Sequence, residues 1–136
     1  MKANTTGTQN TALGIHSLYT NTAGNDNTVS GYRSLYSNTT GSRNTASGTQ
    51  SLYSNTTGSY NTASGYNSLK SNTTGVRNIA IGYGAYDASD TENDNLAIGF
   101  DALSGVLDGG YGNVAIGNYS LDANTSGDEK DRKSTR

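Results

Sequence analysis

Asn38-Thr39-Thr40-Gly41-Ser42-Arg43-Asn44-Thr45-Ala46-Ser47-Gly48-Thr49-Gln50-Ser51-Leu52-Tyr53-Ser54 decides the fold, because the next residues begin it again: Asn55-Thr56-Thr57-Gly58-Ser59-Tyr60-Asn61-Thr62-Ala63-Ser64-Gly65. The asparagine that opens the Asn-Thr-Ala segment recurs at Asn10, Asn27, Asn44, Asn61, Asn78 and Asn95, and then at Asn113 after one extra residue. A glycine keeps step with it at Gly14, Gly31, Gly48, Gly65, Gly82, Gly99 and Gly117. A fixed 17-residue period over nearly the whole chain is the mark of a solenoid, in which one small unit buries its apolar side only by stacking on its neighbours.

At 136 residues the chain has the length of one domain, yet only 31% of it is hydrophobic. Disorder is the usual reading of so low an apolar content, but disorder also brings high charge and proline. Here 15% of residues are charged, proline is absent, and the apolar residues keep the period. An ordered β-repeat with a thin core follows, and a thin core predicts further burial against copies of the same chain. The net charge of −2 carries no electrostatic footprint for nucleic acid. The absence of cysteine excludes disulfides and cysteine-bound metals. No apolar run approaches the roughly 20 residues needed to cross a bilayer as a helix. Met1-Lys2-Ala3 leads into the repeat without an apolar signal segment, and the abrupt start and end read as a piece of a longer fibrous chain.

Residues 1–127 are expected to form a repetitive β-roll of about seven coils, followed by a charged tail at 128–136 that is either a frayed end or the start of another segment. Each coil reads as turn, strand, corner and second strand. In the Asn-Thr-Thr-Gly turn, asparagine bonds its own backbone and glycine supplies positive φ. The first strand is Asn-Thr-Ala-Ser-Gly in the middle copies; the second centres on Ser-Leu-Tyr-Ser. Helix is disfavoured by the dominance of Asn, Thr, Ser and Gly. Alternation along the first strand puts Thr11/Leu13, Thr28/Ser30, Thr45/Ser47, Thr62/Ser64, Ile79/Ile81, Leu96/Ile98 and Val114/Ile116 on one face. Ala12, Val29, Ala46, Ala63, Ala80, Ala97 and Ala115 take the other. The pairs are assigned to the coil interior, and the small alanine column to the outside, beside a subunit axis. Leu18, Leu35, Leu52, Leu69, Leu103 and Leu121, with Tyr86 in the fifth coil, form a column assigned to the core. The following column (Tyr19, Tyr36, Tyr53, Lys70, Asp87) is assigned to solvent.

Few residues carry a chemical signature, and no catalytic, cofactor-binding or metal-binding residue is assigned. His16 shares a variable column with Arg33, Gln50, Asn67 and Asp101, so nothing positions it as a base. Asp87, Asp90, Glu92 and Asp94 supply oxygens of the kind calcium takes, but without the spacing of a known calcium loop, and are read as a solvated loop. Gly109-Gly110-Tyr111-Gly112 precedes no helix and reads as the loop that absorbs the insertion. The Asn-x-Thr/Ser triplets at Asn4, Asn38, Asn55, Asn72, Asn118 and Asn124 are formal glycosylation acceptors, five of them inside the repeat's own turn. Two aromatic columns, Tyr19/Tyr36/Tyr53 and Tyr32/Tyr66/Tyr83/Phe100, are read first as protection of a β-ladder and second as ring faces for sugars or a protein partner.

Asn78-Ile79-Ala80-Ile81-Gly82, Asn95-Leu96-Ala97-Ile98-Gly99 and Asn113-Val114-Ala115-Ile116-Gly117 resemble the Asn-Ser-Val-Ala-Ile-Gly motif of YadA-type trimeric autotransporter heads, and Gly31-Tyr32-Arg33-Ser34 resembles its Gly-x-x-Ser continuation. The 17-residue form also resembles repeats of phage and prophage tail fibres that precede an endosialidase-type chaperone domain. This resemblance, over roughly residues 4–127, implies a left-handed parallel β-roll, assembled as a homotrimer about a fibre axis, in a viral tail fibre or an extracellular bacterial adhesin. YadA-type heads have a shorter repeat and keep aliphatic residues where this chain has Thr45 and Ser47, so no receptor-contacting residue carries over. The expected function is structural and adhesive, with a cell-surface glycan or protein receptor as partner, no catalysis and no cofactor. The alternative is an ice-binding solenoid built on the turn threonines Thr5/Thr6, Thr39/Thr40, Thr56/Thr57 and Thr73/Thr74.

Overall fold

The structure, a computed structural model, describes residues 2–88, 90–107 and 109–123, together with the backbone of 131–133. Each coil contributes one three-residue strand: β1 (Thr11–Leu13), β2 (Thr28–Ser30), β3 (Thr45–Ser47), β4 (Thr62–Ser64), β5 (Ile79–Ile81), β6 (Leu96–Ile98), β7 (Val114–Ile116) and β8 (Asp131–Lys133). They form a single parallel sheet in chain order. The register follows the repeat, with Thr45 beside Thr62, Ala46 beside Ala63 and Ser47 beside Ser64. The fold is an all-β parallel β-solenoid with coils of about 17 residues and about six turns. At roughly 4.7–4.9 Å per layer, the six steps from β1 to β7 rise about 29 Å. The backbone of 131–133 continues the ladder beside β7.

The second expected strand does not form. Leu18, Leu35, Leu52, Leu69, Tyr86, Leu103 and Leu121 all have φ between 46° and 54°, in the left-handed region, which turns the chain instead of extending it. Neighbouring coils remain bonded there, from Leu35 N to Ser51 O at 2.9 Å and from Ser37 N to Tyr53 O at 3.1 Å. The leucine column is nonetheless core: Leu18, Leu35, Leu52, Leu69 and Leu103 are fully buried, and Tyr86 continues them.

The assignment of the strand faces is reversed. Val29, Ala46, Ala63, Ala80, Ala97 and Ala115 are buried and cluster with the leucines, so the alanine column lines the inside of the coil. Thr45/Ser47, Ile79/Ile81 and their equivalents point outward. The strand-opening asparagine explains the parity. Asn44 and Ala46 lie two residues apart, hence on one face, and Asn44 is completely buried. Leucine on one wall and alanine on the other fill the narrow interior, where a second row of branched side chains would not fit.

Two asparagine columns hold the coils together. In the turns, Asn38 Nδ2 donates to Asn21 Oδ1 at 2.7 Å and to Gly41 O at 2.8 Å, and Asn21, Asn55 and Asn72 repeat both bonds. Before each strand, Asn44 Oδ1 accepts from Asn61 N at 3.0 Å while its Nδ2 donates to Gly58 O at 2.9 Å. That pattern runs from Asn10 to Asn95. The turn glycines serve this network through space rather than through φ. A Cβ on Gly41 would lie 2.3 Å from Gly58 O and 2.4 Å from Asn38 Oδ1, whereas positive φ belongs to the glycines after the strands, such as Gly48 at 131°.

Leu52→Ala should lower unfolding free energy by about 2–5 kcal/mol. Asn44→Ala should cost about 1–3 kcal/mol, because it strands one buried backbone group, Asn61 N, while Gly58 O keeps the Asn55 amide. Thr57→Ala, at an exposed turn position, should stay within about 0.5 kcal/mol. Urea titrations at one protein concentration check all three, and a neutral Asn44→Ala would show that the ladder does not carry the fold.

Candidate interaction face

The outward face of the sheet changes character along the axis. On the lower layers it carries hydroxyls, with Thr28, Ser30, Thr45, Ser47 and Ser64 exposed. On the upper layers it carries aliphatic side chains. Ile79 is 40% exposed, Ile81 41% and Ile116 48%, and Leu96, Ile98 and Val114 are half-buried between them. Three consecutive layers thus present branched side chains to water in register.

A polar column borders this face on the side where the chain enters the strand. Arg43 Nε lies 3.7 Å from Asp26 Oδ2, its Nη1 donates to Tyr60 Oη, and its guanidinium sits 5.2 Å from the Tyr60 ring centre. Arg77 binds Asp94 through two bonds, of 2.5 and 2.7 Å. That hydrogen bonding holds the Asp94 carboxyl below the ordinary carboxylate range. Both partners are exposed, so the pair adds little to stability.

Beyond the glycine corner stand the aromatic columns. Tyr66, Tyr83 and Phe100 stack at 5.0 Å with nearly parallel rings, and Tyr19, Tyr36 and Tyr53 stack at 5.2 and 5.3 Å. Inner ring faces are therefore occupied by neighbouring rings, and outer contact is left to ring edges and phenol hydroxyls. The expectation of open faces for sugars is corrected to that extent. His16 packs edge-on against Tyr19 at 5.0 Å and is exposed.

The acidic run does not gather on one point. Asp94 is held by Arg77. Glu92 occupies a turn-glycine position, is buried, and accepts from Thr91 N at 3.1 Å and Gly109 N at 3.4 Å. Asp90 is exposed. Asp87 instead faces Asp101 across the gap left by Gly84, where a Cβ would meet Asp101 Oδ1 at 2.1 Å and Asp87 Oδ2 at 3.8 Å. Burial, and then the Asp101 charge, push the Asp87 carboxyl up. This pairing was hidden in the sequence, since it needs knowledge of which columns adjoin. Among the acceptor triplets, Asn38, Asn55 and Asn72 are buried in the turn ladder, Asn4 and Asn118 are exposed, and Asn124 lies outside the described residues. Gly110 O receives the Asn95 amide at 3.2 Å, so the insertion loop keeps the ladder intact.

Comparison with protein-family models, curated proteins and solved structures finds no match to this chain. Its surfaces must speak through their own chemistry.

Asp87 sets a pH dependence. The folded chain holds the Asp87 proton more tightly than the unfolded chain, so its contribution is complete below the ordinary carboxylate pKa. It is lost as pH rises through the raised folded value. Asp94 acts oppositely and lower, since its contribution is lost as pH falls through its depressed value. Melting temperature should therefore rise as pH drops from neutral towards the upper edge of the carboxylate range. Asp101→Asn, which removes the like charge, should flatten that rise. An unchanged profile in Asp101→Asn would dissociate the two groups.

Proposed function

We propose that this chain is a structural and adhesive segment of a trimeric fibre, a viral tail fibre or a bacterial surface adhesin. In this reading three left-handed rolls stand side by side and present a repetitive surface for attachment to a host or receptor. The observation that carries it is the outward aliphatic strip of Ile79/Ile81, Leu96/Ile98 and Val114/Ile116. Apolar area removed from water is worth roughly 25 cal/mol per Å². Exposed in register on successive layers, the strip gains that energy only when covered, and a second copy of the same regular surface covers it layer by layer. The resemblance noted above supplies the number three. The axis moves accordingly, from the buried alanine column to this strip.

A second reading, the ice-binding solenoid, loses one threonine of each turn pair and keeps Thr6, Thr40, Thr57 and Thr74 exposed. Thr5, Thr22, Thr39, Thr56 and Thr73 spend their hydroxyls on carbonyls of the next coil, at 2.9–3.1 Å. It retains the exposed strand hydroxyls of β2 to β4, and zero thermal hysteresis at high protein concentration would remove it.

Ile81→Arg brings one charge per copy into the proposed contact, a cost of about 3–5 kcal/mol each when left unpaired. It should convert the trimer to a monomer in sedimentation equilibrium while the β circular dichroism persists. Ala63→Arg should abolish the fold itself, since Ala63 is inside the coil. A monomeric wild type at about 100 μM, where a stable interface of micromolar affinity or better is well populated, would overturn the assembly.

A further inference from the structure

Arg33, Arg43 and Arg77 are the arginines with described side chains, and two of them lie beside carboxylates. Arg33 does not. Its guanidinium sits 5.2 Å from the Tyr32 ring centre and 5.9 Å from that of Tyr36, and its buried Nε has no hydrogen-bond partner among the described residues. Lys2 Nζ lies 5.6 Å from the Tyr19 ring centre, and His16 contacts the same ring edge-on. The repeat brings these groups together: Lys2 precedes Tyr19, Tyr36 and Tyr53 in one column, and His16 and Arg33 occupy a nearby one. Further up the same two columns the charge reverses, to Asp87 and Asp101. A chain of net charge −2 thus places two cations, Lys2 and Arg33, with no carboxylate partner among the described residues, beside His16 on the aromatic end of one flank.

We infer that Lys2, His16 and Arg33, set on the Tyr19–Tyr36–Tyr53 stack, bind an acidic polysaccharide. The guanidinium suits a sugar carboxylate, which it can grip through two parallel bonds. Phenol hydroxyls and the Gln50 amide suit ring hydroxyls. Successive tyrosine rings lie 5.2–5.3 Å apart, one per layer, so a linear polymer lying along the column meets the same group at each rung. Nucleic acid fits less well, because bases seek open aromatic faces and these rings cover one another. The carboxylates at the far end repel a polyanion and confine it to the first coils. The flank lies beyond the glycine corner, off the strand face proposed for assembly. The inference rests on the attachment reading above and supplies its ligand class.

Affinity electrophoresis and biolayer interferometry on the full chain, with polygalacturonate as probe, test it, with neutral dextran and poly-dT as comparisons. Polygalacturonate should bind at low salt, and dextran should not. Arg33→Gln should weaken binding about tenfold, the value of one charge-assisted contact. Arg77→Gln, on the opposite edge and already paired, should change it less than about twofold. Should Arg33→Gln fail to fold by circular dichroism, Lys2→Gln at the exposed first coil serves instead and should weaken binding about threefold, as expected for a surface charge. Equal binding of dextran or poly-dT, equal loss in Arg77→Gln, or undiminished binding in folded Arg33→Gln or Lys2→Gln would each overturn the site. Sedimentation of the same samples separates the two proposals. A monomer that binds polygalacturonate sinks the fibre and keeps the site, and a trimer that does not bind it does the reverse.

Discussion

The carboxamide of asparagine is the interaction on which this solenoid depends. It carries both a donor and an acceptor, and here both are spent on neighbouring turns and coils. Asn44 takes the backbone N–H of Asn61 and gives its own amide to Gly58 O, while Asn38 joins Asn21 to the carbonyl of its own turn. Each bond is buried, where water cannot compete and an unmade partner is costly. A chain that is 31% hydrophobic cannot rely on a large apolar core. It substitutes a repeated polar network in which every added coil satisfies the coil before it. Aspartate would supply no donor and leucine neither group, which accounts for asparagine at every strand-opening position from Asn10 to Asn113 and in the turns from Asn4 to Asn72.

The corners show what this network has to offset. Each regular coil places up to three non-glycine residues in the left-handed region, as at Arg43, Gln50 and Leu52, with φ of 58°, 58° and 51°. Such a conformation costs about 1–2 kcal/mol for a residue with a Cβ. The leucine recovers part of this by burial. The other corners point outward and keep the backbone bonds, Arg43 N to Asn25 O at 2.9 Å and Gln50 N to Tyr32 O at 2.9 Å. Because the backbone and the buried amides fix these corners, the side chains there are free to vary. His16, Arg33, Gln50, Asn67 and Asp101 share one such corner.

The period, the parallel coil and the leucine column were legible in the sequence, because a 17-residue repeat leaves few other ways to bury Leu18 through Leu103. The strand faces were not. Ile79 and Ile81 look like core and Ala80 like surface, so hydrophobicity alone inverts the strand. The parity lay in Asn78, which is two residues from Ala80 and just as constant, but asparagine is easily taken for a turn residue and left out of the alternation. The missing second strand has a related cause. Leucine favours no left-handed turn, so nothing in Ser-Leu-Tyr-Ser announces the φ of 51° at Leu52. The Asp87–Asp101 pair and the unpaired Arg33 required knowing which columns touch, and a period alone gives columns without their neighbours.

The inversion of the strand separates stability from function. With alanine inside, the interior is nearly the same from Ala46 to Ala115, and the outward positions can change from Thr45/Ser47 to Ile79/Ile81 without disturbing a buried bond. The aliphatic layers and the hydroxyl layers share one backbone register, so their difference is a difference in what the surface meets. The same holds on the flank, where Lys2, Tyr19 and Tyr36 give way along one column to Lys70 and then Asp87. A uniform interior with a graded exterior is what selection on contacts, acting over a self-sufficient polar ladder, would leave. Folding demands little of the outward residues, so their patterns are where attachment and assembly must be sought.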